Sequence, residues 1–440
     1  MEGMLAGVRI LDSTTAVAMP TGLAIMSDMG AEIIKVETAS REGAEARGDT
    51  FQLYQRNRMG ITINVKAPGG MELFKELVKV CDVVMENNRA GTFVRQGLGY
   101  DDLKKINPQI IMLSNTGFGN TGPWKRYTGH GTFIEHDAGM GYFSGYRDQG
   151  PRQIGNAWID LHAGWLSVFA VITALYHRAE TGEGQYIDFS MYESGTTTMG
   201  PELLDFISNG DVGKRMGNRH PYYAPQGVWA CKGDDKWIGF GIESDAQWQA
   251  LCEVMGDANL AKNPKFSDAL SRLHNQDDLE PIIGAWAKNQ DDKEAMKRLQ
   301  AKGIPAFNMP DASEVMTDPH LKQRGFFQKM VHTPDSGVGT RLFPTRAWKA
   351  SKTDPHFRSP APYLGQHNEY VFGEIMGMSQ ADIEKLYETG VAAKVPPSPN
   401  KAPARAAREG GRSKGTKDSN VENQGVKRID ADYQKRLGVE

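Results

Sequence analysis

The segments GVRILD (7–12), AMPTGLAIMSDM (18–29) and AEIIKVE (31–37) decide the fold, because an apolar run of strand length, a helical stretch and a second apolar run follow in close succession. GVRILD reads as a short buried strand, Ala18 to Gly22 as a turn, Leu23 to Met29 as a helix and AEIIKVE as the next strand. The order repeats. MELFKELVKV (71–80) precedes DVVMEN (82–87), and LKKI (103–106) precedes QIIMLSN (109–115). Such alternation is that of an open, doubly wound parallel sheet with helices on both faces. Sheets of this kind place ligands at the carboxyl ends of their strands, so the loops after Asp12, Glu37, Asn87 and Asn115 are the first candidates for a site.

Working outward, Leu161, Trp165, Val168, Ile172 and Leu175 recur at helical spacing and predict a buried helix, closed by Thr181-Gly182-Glu183-Gly184 before the strand YIDFSM (186–191). WACKGDDKWIGFGI (229–242) reads as a strand, turn, strand hairpin, and amphipathic helices follow around Trp248 and Ile282 to Trp286. The expected division is a large α/β domain over 1–205, a smaller α/β domain over 222–327, a return segment to the large domain over 328–394, and a flexible basic tail over 395–440. Few large apolar residues in that tail leave little to offset the entropy of ordering it.

The 440 residues, 39% hydrophobic and 24% charged, suffice for more than one core. No apolar run reads as long enough to span a bilayer, and MEGMLAGVRILD lacks the pattern of a secretory signal, so the cytoplasm is the expected location. Cys81, Cys231 and Cys252 are widely spaced and suggest neither a disulfide framework nor a zinc site. His136, His162 and His220 share no ligand spacing, so no metal is expected. A net charge of -3 argues against nucleic acid as the main partner.

Three stretches carry the candidate chemistry: VVMENNRAG (83–91) leading to RQGLG (95–99), GFGNTGP (117–123), and residues 155–164 with Asp160. Read alone, Asp160 is a helix N-cap, Arg89, Arg95 and Lys125 are solvated surface charges, and Thr15, Ala16 and Val17 form an ordinary strand-to-helix turn. The ordered set, with LDSTTAVAMP (11–20), GAEIIKVE (30–37), TGEGQYIDFSM (181–191), RMGNRHP (215–221) and DPHLKQRGFF (318–327), resembles the class III CoA-transferase family, also called the CaiB/BaiF family. The resemblance runs from about Val8 to Phe327.

That resemblance implies an enzyme that moves CoA between carboxylic acids, with Asp160 as covalent nucleophile and an aspartyl-CoA thioester as intermediate. A carrier of this kind lets the acyl group leave sulfur and return without losing the thioester to water. It further implies CoA contacts at Thr15, Ala16, Val17, Arg58, Arg89, Arg95 and Lys125, no tightly bound cofactor beyond CoA and acyl-CoA as substrates, and an interlocked dimer or a heteromer with a related subunit. A helix start at Asp160 would help keep its carboxylate ionised. Phe118, Trp124, Phe133 and Trp158 suit a bulky or aromatic acceptor, unless they belong to the core, and succinyl-CoA is a plausible donor.

The chain also departs from the family pattern. Asn57-Arg58-Met59 replaces a basic Asn-Lys-Arg group, and Thr38 stands where formyl-CoA transferase has an arginine that Arg41 or Arg47 would have to replace. The hairpin Gly233 to Trp237 replaces that enzyme's glycine-rich loop, which makes formate and oxalate poor acceptors. A rival resemblance is to alpha-methylacyl-CoA racemase, in which His130 and Asp160 would be the paired acid and base. The continuation Gly131-Thr132-Phe133-Ile134 departs from the racemase pattern and favours the transferase.

Overall fold

The computed structural model describes residues 3–40, 49–155, 157–332, 338–353, 355–395 and 432–439. Six strands, β1 (Arg9–Ser13), β2 (Glu32–Glu37), β3 (Arg58–Thr62), β4 (Val83–Glu86), β5 (Ile111–Thr116) and β6 (Tyr186–Ser190), form one sheet. Their order is β3-β2-β1-β4-β5-β6 and every neighbouring pair is parallel. The side-chain period of two explains why both faces are covered. Ile10, Ile33, Val83, Met85, Ile111 and Leu113 point into one core, whereas Leu11, Ile34, Val84 and Met112 point into the other. β3, with its central glycine, has no counterpart in the sequence reading.

Helices α1 (Ala18–Asp28), α2 (Asp49–Tyr54), α3 (Gly70–Lys79), α4 (Thr92–Arg95), α5 (Tyr100–Ile106), α6 (Gly131–Asp137), α7 (Met140–Phe143) and α8 (Trp158–Thr181) punctuate and follow the strands. The expected turn over Ala18 to Gly22 is instead the first turn of α1. Pro20 is tolerated there because the first amides of a helix have no intrahelical partner to lose.

α1 is buried along its whole length between the sheet and α8. A Cβ on Gly164 would meet the Ala18 carbonyl oxygen at 2.7 Å, and one on Gly22 would meet the Gly164 oxygen at 2.7 Å, so the two helices cross on a pair of bare glycines. Gly164→Ala is expected to destabilise the fold by about 1–3 kcal/mol, because the obstacles are backbone atoms that cannot step aside. Urea unfolding would show it, and an unchanged midpoint would contradict this account of the crossing.

α8 corrects two expectations. Its inner face is buried, but Trp165, Phe169 and Tyr176 are 44%, 71% and 70% exposed, so it is not a buried helix on all sides. With 24 residues, it is also long and apolar enough to cross a membrane by length and composition alone. Its contacts with α1 and the sheet account for much of that apolar content.

The chain separates into two compact units, one of residues 1–138, 155–199 and 316–440, the other of 139–154 and 200–315. The second unit holds a three-stranded antiparallel sheet of β7 (Gln226–Ala230), β8 (Trp237–Gly241) and β9 (Ala306–Asn308), and the expected hairpin is its β7–β8 pair. Trp229, Phe240 and Trp248 are the large members of its core. In the first unit the chain beyond residue 316 forms a hairpin of β10 (Phe327–Val331) and β11 (Thr340–Pro344), then lies along β3. There the Thr62 amide donates to Asn368 Oδ1 at 2.9 Å and the Asn64 amide to the Val391 oxygen at 2.7 Å. Most of the expected tail lies outside the described residues, as do Arg41 and Arg47. Residues 433–437 form a short helix whose following Gly438 oxygen accepts from Lys329 Nζ at 2.7 Å.

Candidate active site

The strand order reverses between β1 and β4, which opens a crevice at their carboxyl ends. Thr15, Ala16 and Val17 lie at this switch point. Asn87, just past β4, fixes the loop from across the crevice: its Oδ1 accepts from the Thr15 amide and its Nδ2 donates to the Thr15 oxygen, both at 2.8 Å. Thr15 therefore spends its backbone groups on Asn87, and Ala16 adopts a left-handed φ of 63° to turn the chain into α1.

Beneath the loop, Asp12 is fully buried. Burial alone would push its carboxyl up, yet the charges of Lys35 and Arg58 and the hydrogen bonds from Thr14 hold it below the usual carboxylate range. Arg58 is 2% exposed. Its guanidinium pairs with Asp12 and donates to the Pro20 and Tyr54 oxygens at 2.7 and 2.6 Å. The expected CoA contact at Arg58 is thus corrected to a structural ion pair, since a group enclosed by protein acceptors has no open side toward a ligand. Arg58→Met is expected to cost roughly 1–3 kcal/mol, because it leaves Asp12 with Lys35 and Thr14 as remaining partners and takes the donor from the Pro20 and Tyr54 oxygens. A variant that unfolds like the parent but binds CoA poorly would reverse the assignment.

The loops after β4 and β5 are tied together. The Gly91 amide donates to Asn120 Oδ1 at 3.2 Å, and Asn120 is anchored through its own amide to Asp188 at 2.8 Å and through Nδ2 to Ser114 Oγ at 3.0 Å. On these loops Arg89, Arg95 and Lys125 are exposed. Arg95 donates to Thr92 Oγ1 at 3.0 Å. All three cations follow the carboxyl ends of β4 and β5 in the chain.

Asp160 is the third residue of α8, not its cap: Ala157, with φ of 57°, holds the cap position. The carboxylate lies directly on Gly131, the first residue of α6, so closely that a Cβ there would be 1.6 Å from Oδ2. Burial raises the Asp160 carboxyl above its ordinary range, His130 and the residue's own amide pull it down, and Glu135 pushes it up again. Burial wins over the helix start, contrary to the simple expectation from position. His130 is exposed, accepts or donates at Nδ1 to Thr132 Oγ1 at 3.1 Å, and packs on Phe133 with centroids 4.5 Å apart.

The sequence reading missed three residues here. Gly131 is the seat of Asp160, Glu135 is buried within electrostatic reach, and the half-buried Tyr54 phenol is raised first by its burial and also by the Asp160 charge. The motif GHGTFIE holds the first two, but only the fold places them against Asp160. Of the aromatic residues singled out, Phe118 and Trp124 join Tyr127 and Tyr192 in one cluster with centroids 5.6–6.1 Å apart. Trp158 instead stacks on His162 at 4.9 Å. Burial pushes the Cys81 and Cys252 thiols up to about 12 and Cys231 to about 11, so none is a ready nucleophile. Among the described residues no group of three His, Cys, Asp or Glu is placed to hold a metal.

Residues 5–368 match the pattern of CoA-transferase family III. The chain belongs to that family. It is 33% identical over 394 residues to the "Succinyl-CoA--L-malate CoA-transferase beta subunit" of Chloroflexus aurantiacus, across 87% of this chain and 96% of that protein. It is 31% identical over 376 residues to the "Acetyl-CoA:oxalate CoA-transferase" of Acetobacter aceti, across 83% and 94%. A CaiB/BaiF family protein from Brucella suis shares the fold with a TM-score of 0.78 and 29% identity, across 85% of this chain and 100% of that one. The family III resemblance read from the motifs therefore holds, and the chain is an enzyme that transfers CoA.

Proposed function

We propose that this family III enzyme moves CoA from succinyl-CoA to a bulky or aromatic carboxylic acid through an aspartyl-CoA thioester on Asp160. The observation that carries the reading is the seat of Asp160, a half-buried carboxylate on the bare Cα of Gly131. Partial desolvation strengthens such a carboxylate as a nucleophile and limits the access of water.

In the first step an Asp160 oxygen attacks the donor thioester carbonyl, the C–S bond breaks, and a mixed anhydride and CoA thiolate form. The thiolate then attacks the Asp160 acyl carbon and releases the donor carboxylate, leaving aspartyl-CoA. The acceptor carboxylate repeats the two steps in reverse order, so no proton is gained or lost. The Gly131 and Thr132 amides, which open α6 beside Asp160, are the donors we assign to the transient oxyanions.

The Chloroflexus relative's name supports succinyl-CoA as donor and, as a beta subunit, supports a heteromer with a related subunit as the alternative to a homodimer. The cluster of Phe118, Trp124, Tyr127 and Tyr192 supports a bulky acceptor. Exposed Arg89, Arg95 and Lys125 suit the phosphates of CoA. We place the enzyme in the cytoplasm, with CoA as substrate and not as a resident cofactor. The proximity of His130 to Asp160 favours a second reading, α-carbon epimerisation of an acyl-CoA.

Incubation with succinyl-CoA and hydroxylamine, followed by intact-protein mass spectrometry, separates the two. Hydroxamate on Asp160, absent from Asp160→Asn, is the expected result. No adduct, with solvent deuterium entering the α-carbon of a branched acyl-CoA, would replace transfer by epimerisation.

A further inference from the structure

Away from Asp160, the first unit contains a cavity of about 670 Å³ lined by residues 324–329, 345–352, 355 and 356, around the β10–β11 hairpin. That volume suits a molecule of nucleotide size. Its walls carry Arg324, Lys329, Arg346, Lys349 and Lys352, and no acidic side chain is among the described lining residues. Arg324, Lys349 and Lys352 make no ion pair among the described residues. Lys329 is spent in part on the Gly438 oxygen.

Arg346 is the innermost of the five, with its side chain 6% exposed. Its counter-ion is Asp28, but the same carboxylate also holds Arg56, through Nε at 3.1 Å and Nη2 at 2.7 Å, and accepts from Asn57 Nδ2 at 2.8 Å. Among the described residues one negative charge therefore faces two buried guanidinium groups, and Arg346 brings positive charge to the cavity floor. Among the described residues Arg346 Nε is buried with no hydrogen-bond partner. Burial and the neighbouring Arg56 pull the Arg346 pKa down to about 10, as expected for an incompletely compensated cation. A buried cation of this kind costs stability unless an anion completes its pairing.

The cavity is also firm. Gln328 exchanges two hydrogen bonds with Phe357, at 2.8 and 3.0 Å, and Thr345 donates through both its amide and its hydroxyl to the Phe326 oxygen at 2.8 Å. Trp348 forms one wall and packs edge-on against Trp165 of α8 at 5.8 Å.

We propose that this cavity is a binding site for a phosphate-bearing small molecule of nucleotide size, separate from the Asp160 site. Arg346 receives one phosphate at the floor, and Arg324, Lys349 and Lys352 close on the others from the rim. Several converging cations select for multiple negative charge, which one carboxylate would not satisfy. The assignment does not depend on the aspartyl-CoA reading.

The test is isothermal titration of the full chain with inorganic pyrophosphate, then ADP and CoA, against Lys349→Ala/Lys352→Ala and Arg324→Ala. These are exposed rim positions, so the thermal midpoint should hold. Pyrophosphate binding weakened about tenfold or more in the double variant is the expected result. Loss of the ADP heat with the CoA heat unchanged would mark a free nucleotide as the ligand type, whereas loss of both in step would mark the ADP part of CoA. Absence of pyrophosphate and ADP binding in the parent, or binding that the rim variants leave unchanged, would overturn the proposal.

Discussion

Asp160→Asn is expected to lose CoA transfer by roughly 10⁴-fold or more, while at neutral pH it unfolds no more readily than the parent. The loss follows from chemistry, since an amide in place of the carboxylate has no oxygen nucleophile to form the anhydride. The stability follows from the sign of the pKa shift. Burial is the largest influence on Asp160 and raises its carboxyl above the ordinary value of 3.8, so the fold disfavours the ionised form. An acid whose folded pKa lies above its unfolded pKa binds protons more tightly when folded. Its ionisation therefore costs stability above the folded pKa, and that cost disappears as pH falls through it toward the unfolded value. Asparagine, uncharged at every pH, escapes the cost. The variant should thus match or exceed the parent in urea at neutral pH, and the difference should shrink in acid. The same shift sets the acid limb of parental activity above the ordinary carboxylate range. Retained transfer activity would remove Asp160 from the nucleophile role, and a marked loss of stability would mean that the carboxylate is held by contacts rather than merely desolvated.

The large parallel sheet was legible because its strands are continuous apolar runs, a consequence of burial on both faces: ILD, EIIKVE, VVME and IMLS each name their element. β3 was not, because Arg58, Met59, Gly60, Ile61 and Thr62 mix charge, glycine and polarity. Its neighbours from residues 359–393 supply what its own sequence lacks, and contacts so remote in the chain leave no local pattern. Arg58 shows the same limit at the site. Its register suggested a phosphate ligand, but the burial of Asp12 beneath the loop turned it inward. Pro20 misled in the opposite sense, since a turn residue is also a good first-turn residue. Asp160 was singled out by motif alone. Gly131, which makes its position possible, became visible only when α6 and α8 were brought together.

Gly131→Ala tests that contact directly, and its expected result is an enzyme that is folded but slow. The added Cβ would lie 1.6 Å from Asp160 Oδ2 and 2.6 Å from Cγ, so the carboxylate must swing away. Gly131 does not need the left-handed backbone, which separates this substitution from one that strains the chain. Alanine is also the better helix former by roughly 0.5–1 kcal/mol at an interior position, and at the start of α6 it does nothing to weaken the helix. Displacement of a reacting group by about 1 Å costs on the order of 10²-fold, so kcat should fall by at least that much. Binding of CoA, which draws on groups elsewhere in the site, should change far less. Gly129→Ala is the companion variant: its Cβ would first meet the Ile134 side chain at 3.1 Å, a neighbour that can yield. If the two variants slowed the enzyme equally, the loss would belong to the loop as a whole. A loss confined to Gly131→Ala, together with loss of hydroxamate trapping at Asp160, ties catalysis to the carboxylate resting on that one bare Cα.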